Sequence, residues 1–100
     1  MANTYNIVTE EKLEKYFKIT TEALEKALKA PKAPASHSQA ADALDMVSRY
    51  VSDAKHFREK GDFVLAFAAL NYAHGWLDAA ARFKLFEVHD SRLFTVDDKD

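Results

Sequence analysis

One hundred residues, 48% of them hydrophobic and 30% charged, make a single globular domain with one modest core and exclude a disordered chain. The absence of cysteine excludes a disulfide framework, a thiolate zinc site and a cysteine nucleophile. A net charge of −2 gives none of the concentrated positive field that a polyanion needs, which argues against nucleic acid as a partner.

With two Gly and two Pro there is little material for the many tight turns of an all-β fold, and the abundant Ala, Leu, Lys and Glu point to an all-α one. The first residues lack the charged start and apolar core of a signal peptide, and the longest strongly apolar run is residues 63–70. That run is far below the ~20 residues of a membrane span. The expected setting is cytoplasmic, with no membrane partner.

The first predicted helix covers residues 9–30, with Thr9 as its N-cap. Leu13, Phe17, Thr20, Leu24 and Ala27 form one stripe in steps of four and three, the mark of a helix with one buried side. The opposite surface carries Glu11–Lys15, Glu14–Lys18, Glu22–Lys26 and Glu25–Lys29, all i,i+4 pairs in the favourable order, and reads as a solvated face. Pro31 and Pro34 then stop the helix. The stretch after them reads as a mobile linker, with Ser36 or Ser38 capping the next helix.

The second helix is expected over residues 39–60, with a stripe of Ala40, Leu44, Val47, Val51, Ala54 and Phe57. Gly61 suits the left-handed residue of a helix C-terminus, and Asp62 suits the N-cap of the third helix. So short a connection forces an antiparallel hairpin. The third helix, residues 62–84, is apolar over nearly two thirds of its circumference, more than the half that a three-helix bundle ordinarily buries. Ala66, Ala69, Ala73 and Ala80 fall on one face, where small side chains permit close helix approach. Asn71, His74, Gly75, Asp78 and Arg82 collect on a narrow polar stripe, the candidate functional stripe. Val64, Phe67 and Trp76 are the candidate interface. The surplus apolar surface calls for a cover, either the tail (residues 85–100) or a second copy of the chain. A glycine at position 75, unfavourable in a helix interior, suggests close backbone approach by such a cover. The alternative is a simply tolerated exposed glycine.

Chemistry is sparse. His74 and Asp78 supply two metal ligands where catalytic zinc wants three, and no cofactor motif is present, so no metal or cofactor is assigned. There is no Gly-rich phosphate loop and no Gly-x-Ser-x-Gly, hence no catalytic residues, and a non-enzymatic protein is favoured. Arg82 and His89, in an Arg-x6-His spacing beside the hairpin Ala54, Phe57, Gly61, Asp62 and Ala66, resemble the nucleotide-binding helical domains of higher eukaryotes and prokaryotes. That resemblance implies a nucleotide-binding or ribonuclease-like domain with Arg82 stabilising phosphate charge and His89 as acid or base, the alternative reading. The same hairpin spacing matches one tetratricopeptide repeat, but the chain holds no second copy.

The hairpin carries a further likeness. Asp53-Ala54-Lys55-His56-Phe57, Glu59-Lys60-Gly61-Asp62-Phe63, Ala66-Phe67-Ala68-Ala69 and Tyr72-Ala73-His74-Gly75-Trp76-Leu77-Asp78-Ala79 are similar to the archaeal domain of unknown function family 357. This resemblance implies an archaeal cytosolic protein with a three-helix up-and-down bundle. Together with the residue pattern, the expected fold is a three-helix antiparallel up-and-down bundle with a C-terminal tail packed on it, one domain over residues 1–100. It brings no site residues. The leading expectation is an interaction or assembly module that uses the third helix and the tail to bind itself or another protein.

Overall fold

Thr9 accepts a hydrogen bond from the Lys12 amide through its side chain, satisfying one of the orphan donors at a helix start. From there the computed structural model, which describes residues 5–96, runs through α1 (Glu10–Lys29), a 3-10 turn (Pro34–Ser36), α2 (His37–Glu59) and α3 (Phe63–Arg82). The fold is the expected all-α bundle. α2 begins at His37, earlier than predicted, because the turn runs directly into it and Ser36 makes no side-chain cap bond. The linker is also braced. Lys32 donates to the carbonyls of Ala27, Leu28 and Ala30, and the Glu87 amide donates to Pro31 O.

The α2–α3 hairpin turns as its sequence requires. Gly61 sits at φ +79°, its amide donates to Arg58 O, and the Asp62 amide donates to Phe57 O. This pair of reversed bonds is the Schellman closure of a helix end. Asp62 then caps α3 by accepting from the Leu65 amide at 3.0 Å. A second Schellman closure ends α3 at Arg82, two residues short of the expected end. The Lys84 amide donates to Ala81 O and the Leu85 amide to Ala80 O, with Lys84 itself in the left-handed region at φ +60°. No glycine announces this turn, which is why the sequence pattern carried the helix too far.

The core has two parts. Near the hairpin, Leu13 and Phe17 of α1 meet Ala54, Ala66 and Leu70. Toward the other end, Ala23 and Ala27 join Val47, Ala73, Leu77 and Ala80, and the tail inserts Phe86, Leu93 and Phe94 among them. The small residues of α3 are the buried ones, as expected for close helix contact. The fold measures 51 × 29 × 16 Å. With helix axes packing about 8–10 Å apart, its least dimension holds little more than two helix layers. One side of α3 therefore stays uncovered.

The two left-handed positions carry opposite predictions. Gly61→Ala loses about 1 kcal/mol of stability, because a Cβ meets no neighbour there but is strained at positive φ. Lys84→Gly gains about 0.5–1 kcal/mol by relieving the same strain. Urea unfolding of both variants checks the signs.

Candidate functional site

The sides of α3 meet different neighbours. Phe67 leans on Tyr16 of α1, ring centroids 4.9 Å apart, with Lys12 Nζ 5.6 Å from its ring. Tyr72 leans on Tyr50 of α2 at 4.6 Å. Trp76 is partly buried against the tail end of the core. Between these flanks lies the outer face of α3, where Val64 is 63% exposed, Leu65 46% and Tyr72 54%, with Ala68, Gly75 and Ala79 exposed among them. Phe83, just past the helix end, is 76% exposed.

The polar stripe splits in two. His74 and Asp78 turn toward the tail. His74 Nε2 lies 2.6 Å from Leu93 O, and His74 Nδ1 lies 3.1 Å from Thr20 Oγ1. A carbonyl only accepts, so Nε2 carries the proton and donates to it. The neutral ring then accepts at Nδ1 from the Thr20 hydroxyl. Asp78 Oδ1 accepts from the Thr95 amide at 2.8 Å. These two side chains therefore tie α3, α1 and the tail together. Asn71, Gly75 and Arg82 stay exposed, and among the described residues neither Asn71 nor Arg82 makes a side-chain hydrogen bond or ion pair.

At Gly75 an added Cβ meets nothing within 4 Å, so neither the tail nor another helix of this chain makes the expected close approach. The charged face of α1 is corrected as well, because of its four i,i+4 pairs only Glu22–Lys26 comes within range, at 3.9 Å. Glu22 is held by Arg92, Lys26 reaches Asp90 at 2.9 Å, and Glu14 reaches Arg58 of α2 at 2.6 Å. Arg58 in turn lies over the Phe17 ring. Periodicity within one helix does not reveal partners that arrive from the tail or another helix. Only Thr20, polar within an apolar stripe, signalled that a polar partner was needed.

This charge network sets the electrostatics of the tail. The Arg92 hydrogen bond holds the Glu22 carboxyl below its ordinary value, and the Lys26 hydrogen bond does the same for Asp90. Arg92 is pushed up by Glu22.

Among the described residues no three His, Asp or Glu side chains converge as a metal site requires. His89 lies exposed in the tail, Nε2 3.3 Å from Glu87 Oε1, while Arg82 ends α3. No helix of the described residues is long and apolar enough to cross a membrane.

A family model described as "Protein of unknown function (DUF357)" matches residues 15–86. No curated protein and no solved structure matches the chain.

The clasp generates two predictions. His74→Ala leaves the buried Thr20 hydroxyl and the Leu93 carbonyl without a partner, costs about 1–3 kcal/mol, and speeds amide exchange at Leu93 and Thr95 relative to α2. Glu22 and Asp90 have folded pKa values below their ordinary 4.5 and 3.8. The stability they add is therefore complete above those values and is lost as pH falls below them. Tail amide protection should drop across that window, and the drop should shrink in Glu22→Gln and at high salt.

Proposed function

We propose that this chain, which belongs to the DUF357 family of proteins of unknown function, is a non-enzymatic interaction or assembly module whose working surface is the outer face of α3. A cytoplasmic setting is part of the same proposal. One observation carries it. α3 is sealed on the side where the tail docks, yet its opposite face presents Val64, Leu65 and Tyr72 to solvent in a row with Ala68, Gly75 and Ala79. Scattered apolar residues are ordinary on a protein surface, whereas a contiguous apolar helix face marks a contact site.

The tail's part in this reading is structural. By inserting Phe86, Leu93 and Phe94 into the core it fixes α3 from behind, so that the outer face is presented on a rigid helix. His74 and Asp78 serve that anchoring, and no group left over on the stripe forms an acid–base pair.

A photo-crosslinking residue at Ala68, with one at Ser52 on the exposed side of α2 as control, tests the reading in intact cells. The expected result is a discrete adduct from position 68 and none from position 52. Identical, featureless patterns from both would overturn it.

A further inference from the structure

We infer that the partner on the outer face of α3 is a second copy of this chain, packed antiparallel about a two-fold axis that passes between Asn71 and Tyr72. This rests on the reading of α3 as the working surface and says who occupies it. The first argument is the kind of element that fits. Val64, Leu65, Ala68, Gly75 and Ala79 offer no side-chain donor or acceptor, so an extended segment laid on them would leave backbone groups unpaired. A helix satisfies its own backbone and brings only side chains. The chain's own α3 is such a helix, with an exposed apolar face of matching length.

The second argument is complementarity of that face to itself under reversal. Counting outward from the axis, Ala68 of one copy meets Gly75 of the other, and Val64 meets Ala79. Val64 thus faces a small side chain, and Ala68 with Gly75 lets the two backbones come close, as in close helix pairs. Both Tyr72 rings flank the axis. Phe83 reaches the opposite end of the partner's α3, where Ile7, Gly61 and Val64 border a shallow cleft.

Charge decides direction. The outer face is neutral along its length and ends with Asp62 at its start and Arg82 at its finish. Arg82 has no ion-pair partner among the described residues. Asp62 uses Oδ1 on the Leu65 amide, and its Oδ2 makes no hydrogen bond or ion pair among the described residues. A parallel pair would set Arg82 against Arg82 and align the helix dipoles. The antiparallel pair sets Arg82 against Asp62 at both ends and opposes the dipoles.

Sedimentation equilibrium of the purified 100-residue chain is expected to show a concentration-dependent monomer–dimer equilibrium. Ala68→Arg places a charge at the centre of the contact and should weaken dimerisation by on the order of a hundredfold. Because Ala68 is exposed and arginine is a good helix former, the monomer's helical circular dichroism should be unchanged. Arg82→Glu should weaken association, and adding Asp62→Asn, which keeps the cap, should restore part of it. The absence of native cysteine permits a register test by mild oxidation. Tyr72→Cys should crosslink to itself, and Ala68→Cys mixed with Gly75→Cys should crosslink to each other but neither to itself. A wild-type monomer at every concentration, a dimer indifferent to Ala68→Arg, or Ala68→Cys linking to itself would each overturn the inference. If the cellular adduct at position 68 is discrete but not twice the chain's mass, self-pairing is overturned while the interaction module stands.

Discussion

The fold depends on one hydrogen-bonding obligation. Thr20 lies on the buried stripe of α1, 1% exposed, and a hydroxyl in that position is costly unless paired. Leu93 brings a second polar group, its carbonyl, to the same place. His74 answers both with one ring, accepting from the hydroxyl and donating to the carbonyl. No aliphatic residue at position 74 can do so, whereas the two ring nitrogens, one carbon apart in a rigid plane, point at two different partners at once. The clasp links residues far apart in sequence and makes the docking of the tail part of folding rather than an addition to it.

Around this centre the weaker interactions fall into order. Glu22–Arg92 and Lys26–Asp90 are exposed pairs, each worth little alone, but both join α1 to the tail and give the tail its path. The Schellman turn at Lys84 sends the chain back at the angle that path needs. Phe86, Leu93 and Phe94 then complete a core that three helices of alanine-rich faces would leave underfilled. The strain at Lys84 is tolerated because the surrounding contacts over-determine the turn.

The helices were legible in the sequence because their signals are local. Thr9, Gly61 and Asp62 act on amides within a few residues, and the apolar stripes repeat with the helical period. The architecture of the hairpin followed from those alone. Illegible were the features that depend on a partner distant in sequence: Glu14 with Arg58, Glu22 with Arg92, and His74 with Thr20 and Leu93. His74 and Asp78 stood out correctly as neighbours, but their direction was set by the tail, whose residues 83–96 show no helical period to place them. Gly75 was ambiguous because a glycine costs the same whether it admits a neighbour or merely faces water.

The two sides of α3 show why one was closed by the tail and the other was not. An extended segment carries a peptide donor and acceptor at every residue and needs polar partners along its route. On the side where the tail docks, His74 and Asp78 meet the Leu93 carbonyl and the Thr95 amide, while Glu22 and Lys26 of α1 hold the side chains of Arg92 and Asp90, so an irregular segment finds polar partners there. The outer face supplies almost none between Asp62 and Arg82. Only an element with its backbone already satisfied can cover it at no such cost, which in this all-helical chain means another helix. The division of polar residues between the two sides of one helix thus sets both what folds back onto α3 and what kind of surface can meet it from outside.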